Sequence, residues 1–521
     1  MSTQPSHPWF TVRFARWCWR MVWSRRMIWT LVSVASLLVL YYQWENWRSA
    51  RELEQTRQRI VARLGTDNVL GFAPPQIPDE QNYFANPVIE SWIRPSRPGA
   101  NELQYIPPPN VLLPKDTILP KPIEESKNGN APTLDLAAWA KQRAEAGKPL
   151  PDELAPEVVL ARELGDGNGL LPKLAEGVNK PFSMMKPGRR EAIDAANGNP
   201  WGVAIPNFRN MNDFQSQLAL HLRSAALVHD QGKARDAALI MLRFSEASSE
   251  HGLVGCLVSL ALHGTAMEAM HDSMGREAWN EAALLELQRR LVAFDDLQNV
   301  ERAMSSEALV LFQTAAWLHA QPRHLADMFV LGDLSEDGTD WLWKNLPRLF
   351  GNWGPIGWHD ANIAYWTDRE LDALGPAGPT AWLSAADRYD RVSKEARSNW
   401  FHEDDTPRLW RNPRRYFGAI ALPNLGNVFT AAARCLFQRR CLIIGATLEH
   451  YRLRTGHYPT SLDLVQAELT PLRPKDPAQP DTLPGYRIEP TGYLLWSAGD
   501  DGKDDGGTLL QDWLWRVKRV P

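Results

Sequence analysis

The stretch Tyr451-Arg-Leu-Arg-Thr-Gly456-His-Tyr458-Pro459-Thr-Ser-Leu462 stands where a long helix gives way to a small sheet. Upstream of it, Leu425, Val428, Ala432, Cys435, Arg439, Leu442 and Ala446 recur at alternating three- and four-residue steps, with Phe429, Leu436 and Ile443 beside them. That spacing predicts a helix of roughly thirty residues, starting after Pro423 and carrying a wide apolar stripe. Downstream come Pro474-Lys-Asp476-Pro477, strand-like runs around Tyr486–Ile488 and Tyr493–Trp496, and the loop Gly499-Asp-Asp501-Gly-Lys-Asp504-Asp505-Gly-Gly507. The stripe is expected to pack on those strands, which makes residues 421–521 a small α+β module.

In that order, these parts resemble the C-terminal half of the major pseudopilin of type II secretion systems. The resemblance implies a pilin-like module and, as partners, the proteins of a secretion or pilus-type assembly. It also implies one calcium ion in the acidic loop, where Ser497, Gly499, Asp501 and Gly502 match the family pattern and Asp504, Asp505 or Asp512 would supply the later ligands. Read from its residues alone, the loop sets four aspartates among glycines, and calcium takes six to eight hard oxygens. The same text also reads as a solvated turn whose like charges repel. Ser497, Asp501, Asp504 and Asp505 are the candidate metal residues, and calcium is the one cofactor expected. The chain departs from pseudopilins at its start: Arg25-Arg26-Met27 leads the apolar run and no glutamate lies near its beginning. It is therefore not expected to be a prepilin-peptidase substrate, and the pilin-like part reads as a borrowed module.

Met27 to Tyr42 is sixteen uncharged, mostly apolar residues, near the short end of what spans a bilayer. Trp19, Trp23 and Trp29 on one side, and Tyr41, Tyr42, Trp44 and Trp47 on the other, are the rings expected at headgroup level. Arg13, Arg16, Arg20, Arg25 and Arg26 precede the run and no acid does, which places residues 1–26 in the cytoplasm and the rest of the chain outside it. No small-residue cleavage site follows, so 27–42 reads as an uncleaved signal anchor in the cytoplasmic membrane.

Residues 43–132 read as a juxtamembrane helix followed by a strap with twelve prolines between Pro74 and Pro122. Proline has no amide donor, so this stretch is neither regular helix nor central strand; an extended strap across a folded surface and a disordered linker both fit. Residues 133–420 are expected to be helical, with the strongest pattern from 211 to 320. Leu218, Leu222, Ala225 and Ala226 recur before Gln231-Gly232 breaks the run, and Ala237, Ala238, Met241 and Leu242 follow. Small residues around a glycine-containing turn resemble a tetratricopeptide hairpin, although no 34-residue repeat continues from it. Within 340–410 the tryptophans and Gly354-Pro-Ile-Gly357-Trp358-His359-Asp360 either line a pocket or cap helix ends.

The net charge is −4, and the 52 basic residues outside the N-terminal segment face 61 acidic ones, which argues against a nucleic-acid partner. The four cysteines form no CxxC pair, so a thiolate zinc site is not expected, and Cys256, Cys435 and Cys441 read as buried thiols. There is no HExxH, GxSxG or phosphate-loop signature. The order of parts, with Ile77-Pro-Asp-Glu-Gln-Asn82 and Leu448 to Asp463, also resembles a group of large bacterial envelope proteins, a resemblance that implies a location but no activity. The expected class is mainly α: one transmembrane helix, a helical array and the α+β module. The expected function is a membrane-anchored periplasmic binding or scaffold protein. A periplasmic hydrolase with its pocket in 340–410 is the alternative.

Overall fold

The computed structural model describes residues 24–95, 103–115, 117–123, 130, 133–196, 198–200, 202–203, 205–206, 208–321, 354–375, 382–398, 414–415, 425–508 and 512–519. The chain is mainly helical and divides into two units. One comprises Met1–Arg59, Leu318–Asp368 and Ala396–Leu422; the other comprises Ile60–Trp317, Arg369–Glu395 and Pro423–Pro521.

The apolar run and the charged residues after it lie on one continuous helix, α1 (Arg25–Leu64), which belongs to the first unit up to Arg59. Its N-terminal half is apolar enough to cross a membrane, and its large side chains point outward: Trp29 is 70% exposed and Leu37 and Leu40 are each 65% exposed. Past Tyr42 the helix meets protein. Glu45 and Ser49 are buried, and Arg414 pairs with Glu45 and, at 2.6 Å, with Glu52. The Gly357 amide donates to Asn46 Oδ1 at 2.9 Å, and a Cβ at Gly357 would stand 2.8 Å from the Asn46 Cα. The Gly354–Asp360 text thus opens a helix, Gly357–Leu374, whose glycine lets it lie against α1. Of the tryptophans in 340–410, Trp341, Trp343, Trp353, Trp400 and Trp410 lie outside the described residues, so the pocket expected there does too.

The second unit is built on α2 (Phe208–Leu227), α3 (Gln231–Ser248), α4 (Gly252–Met274), α5 (Glu281–Val292) and α6 (Asp296–Ala320). The break between α2 and α3 falls at residues 228–230, before Gln231-Gly232. His229 takes a left-handed φ of 56°, and the Asp230 carboxylate caps α3 by accepting from the Lys233 amide at 3.1 Å. Gly232 sits inside the helix. Helix α4 also passes the length and apolarity test for a membrane span, but over half of that window is buried in protein, where Leu262, Ala266, Met267 and Met270 belong to the core.

The strap does more than lie across this array. Tyr83, Phe84 and Ile89 are fully buried, and the Tyr83 ring stands edge-on to Phe244 of α3. Asn82 completes its amide by donating to the Met184 carbonyl and accepting from the Met184 and Phe84 amides. Farther on, the Leu112 amide donates to Gln217 Oε1 and the Leu112 carbonyl accepts from His221 Nε2. Backbone groups that proline leaves without ladder partners are thus taken up by side chains of the helices.

The last helix, α7 (Gly426–Thr455), ends on Gly456 in the left-handed region, as its sequence suggests. One face packs on α4 and α5, where Gln288 Nε2 donates to the Ile443 carbonyl and the Thr447 hydroxyl. Another face meets an antiparallel sheet, β1 (Gly485–Glu489), β2 (Gly492–Ser497) and β3 (Trp513–Lys518), in the order β1-β2-β3. Tyr493, Leu495, Trp513, Trp515 and Val517 from the sheet and Phe437, Cys441 and Leu442 from α7 share one core with the array. The His271 ring of α4 stacks on Trp515 at 3.7 Å. Cys256, Cys435 and Cys441 are buried and free.

Candidate functional site

The acidic loop joins β2 to β3 and is organised from its backbone outward. Gly502, Gly506 and Gly507 adopt left-handed φ values, which bring successive amides to one side. Those of Asp505, Gly507 and Thr508 all donate to the buried Asp512 carboxylate, at 3.3, 2.7 and 3.1 Å. Asp504 Oδ1 accepts from Trp496 Nε1 at 2.8 Å and from the Gly506 amide at 2.9 Å, and Asp501 Oδ1 accepts from the Lys503 amide. Asp501, Asp504 and Asp505 are exposed, whereas Ser497 is buried and turns inward, donating to Asp476 Oδ1 at 2.5 Å. Among the described residues, no three His, Cys, Asp or Glu side chains are placed to share a metal ion. Asp476 and Asp512, the two buried acids that hold this end of the sheet, carry no motif beyond the Asp476-Pro477 pair and a place just before β3.

The core of the array contains an ion pair. Arg439 of α7 donates to both oxygens of Asp296, at 3.0 and 3.3 Å, and its guanidinium lies 4.9 Å over the Phe294 ring. His263 Nδ1 is 3.3 Å from Asp296 Oδ1 and 3.4 Å from the Ser259 hydroxyl. These residues share the composition of a hydrolytic triad but not its geometry. Serine and aspartate both address one ring nitrogen, all three are sealed from solvent, and the Ser259 hydroxyl donates to the Ser245 carbonyl. Burial holds the His263 imidazole well below its ordinary pKa, so it stays neutral.

A cavity of about 330 Å³ opens beside this core in the second unit. Its charged lining comes from Glu246 of α3, Glu250 in the turn after it, Arg189 at the head of the short helix Arg189–Ala195, Arg290 of α5 and Arg302 of α6. Phe72, Phe182 and Phe294 supply apolar wall. Glu246 is paired with Arg290 and, at 3.3 Å, with Arg243; burial outweighs the pull of the Arg243 and Arg439 charges and lifts its pKa to about 7. Burial lifts Glu250 further, to about 8, against the pull of Arg302. Burial, followed by the Arg189 charge, takes the neighbouring His251 down to about 4. Desolvated acids set beside several guanidinium groups in one cavity make this the candidate site of the second unit. No single one of these residues stands in a motif, because they come from separate turns of separate helices. A second cavity, of about 420 Å³, is lined by Ile77, Asp79 and Asn82 of the strap with Lys186 and Arg190. There Lys186 bridges Asp79 and Glu90 at 2.6 and 2.9 Å.

No family model, curated protein or solved structure matches the chain.

Proposed function

We propose that this chain is a single-pass, membrane-anchored binding protein of the bacterial envelope, with its N-terminus in the cytoplasm and its body in the periplasm. The single observation that carries this reading is helix α1: its apolar half exposes Trp29, Leu37 and Leu40, while Ile60, farther along, is buried. Exposed apolar side chains in an unbroken row are costly in water and favourable in lipid. In this reading the α2–α3 hairpin, tetratricopeptide-like in its small-residue packing, belongs to a ligand-binding array, and α7 with its sheet, pilin-like in order, docks on a type II secretion or pilus-like assembly. Replacing Arg25 and Arg26 with Glu should weaken or invert the orientation of a reporter fused to the C-terminus. Unchanged outward placement in that assay would sink the anchor.

Calcium at the β2–β3 loop belongs to the same proposal. Asp501, Asp504 and Asp505 are the donor type that calcium takes, and binding would require carboxylates now turned on backbone amides to reorient toward the ion. Thermal unfolding of the full chain in detergent should shift upward with calcium, and a variant with Asp501, Asp504 and Asp505 changed to Ala should not respond. Equal curves for the parent with and without calcium would leave the loop an ordinary turn.

A further inference from the structure

We propose that the cavity bounded by Arg189, Arg290 and Arg302 binds a small ligand presenting a carboxylate or phosphate oxyanion on an apolar or aromatic body. Arg302 has one hydrogen bond, a 3.5 Å contact to the Phe72 carbonyl, and no carboxylate within ion-pair distance among the described residues. Arg189 is 9% exposed, and its Nη2 donates to the Ser306 hydroxyl at 2.7 Å; it too has no carboxylate at ion-pair distance among the described residues. Its position is constructed. Gly252 has a φ of +69°, and a Cβ there would lie 2.3 Å from Arg189 Nη1, so the guanidinium occupies space that only glycine leaves. Arg290 Nε is buried with no partner. Three cations therefore border the cavity, and among the described residues Arg290 alone of the three has an acid at ion-pair distance, Glu246.

The remaining acid fits the same ligand. Glu250 Oε2 is shielded and has no hydrogen-bond partner. Held neutral at pH 7, the Glu250 carboxyl is a donor to an oxyanion rather than a competing charge. Phe72, Phe182 and Phe294 then offer surface to an apolar body. Guanidinium pairs set beside desolvated donors are the arrangement that recognises carboxylate and phosphate. The inference rests on the binding reading above and assigns that binding a place and a chemistry.

The test is titration of the full chain in detergent with benzoate and with phenyl phosphate, read by calorimetry. Saturable binding of either supports the site, and the better of the two names the oxyanion. Arg302→Gln should weaken binding by at least about tenfold, the loss expected for a charge-assisted hydrogen bond, and Arg302→Lys should restore part of it. Arg302 is exposed, so folding should survive the change. Between about pH 7.5 and about pH 9 benzoate keeps its charge, and the parent should lose affinity more steeply than Glu250→Gln, because only the parent ionises Glu250. The other charged groups around the cavity are the same in both proteins: Arg189, Arg290, Arg302, Glu246 and Glu307, whose Oε1 accepts from the Leu253 amide, are common to them, and His251, held near 4, is neutral throughout this window. No saturable binding of either probe, equal affinity in Arg302→Gln, or the same pH profile in Glu250→Gln would overturn the proposal. A chain that binds but faces inward would sink the location alone, and an outward-facing chain that does not bind would sink the site alone.

Discussion

Arg439 carries a full charge into the centre of the array, and Asp296 answers it with both carboxylate oxygens in a site with no water access. Removing one partner of such a pair leaves the other buried and uncompensated. Asp296→Ala should therefore lower unfolding stability by about 3–5 kcal/mol in a denaturant titration, whereas Asp296→Leu combined with Arg439→Met should recover most of that loss. A loss equal to that of a surface substitution would show that the pair is hydrated. His271 makes a second argument at this scale. Stacked on Trp515 and donating from Nε2 to the Arg516 carbonyl at 2.8 Å, it is pushed by burial down to about 3. The unfolded chain protonates this imidazole near pH 6.5 and the folded chain refuses the proton. Its contribution is thus present above about 6.5 and is lost as pH falls from there toward 3. In His271→Gln, melting temperature should fall less steeply between about pH 6.5 and about pH 4 than in the parent, and parallel curves would refute the assignment.

At the level of elements, α7 and β2 meet where Gly445 faces Tyr493. A Cβ at Gly445 would stand 2.7 Å from the Tyr493 hydroxyl, and that hydroxyl is buried with no hydrogen-bond partner. Tyr493→Phe removes the orphaned group and should leave stability unchanged or raise it by about 1 kcal/mol. Gly445→Ala should destabilise the parent and be tolerated in the Tyr493→Phe background, a coupling that a double-mutant cycle by chemical unfolding would read. Additive effects would place the helix and strand farther apart than described. Much of this end was legible: the period of Leu425 to Ala446 marks α7, and the runs at Tyr486–Ile488 and Tyr493–Trp496 fall on β1 and β2. Strand β3 was not read, although Trp513, Trp515 and Val517 alternate inward with Leu514, Arg516 and Lys518. The acidic run before it has the composition of a ligand loop, and the period of two that follows spans only six residues. The α2–α3 turn was placed at a glycine, whereas the work is done by a left-handed histidine and a capping aspartate, whose roles depend on backbone angles that composition does not reveal.

For the molecule as a whole, the helical class and the apolar N-terminal helix follow from periodicity, because both are properties of contiguous text. The cavity was illegible for the opposite reason. Arg189, Glu250, Arg290 and Arg302 are brought together by packing, and each alone reads as a surface charge. The strap was half legible: its prolines exclude regular structure, but nothing in them foretells that Asn82 and Asn86 would spend their amides on the carbonyls of Met184, Lys173 and Glu176.

Helix α7 serves as floor to the sheet and as a member of the array at the same time. A segment joined to its host in this way takes part of its interior from α4 and α5, and cut free of them it would bare that face of α7 to water. Divergence on either side has to be concerted. A larger residue arriving at Ala446 or Ile443 must be matched across Gln288 and the α5 face, and a change in Trp515 must be matched at His271. The junction therefore answers to substitution as one body of protein rather than as two joined at a seam.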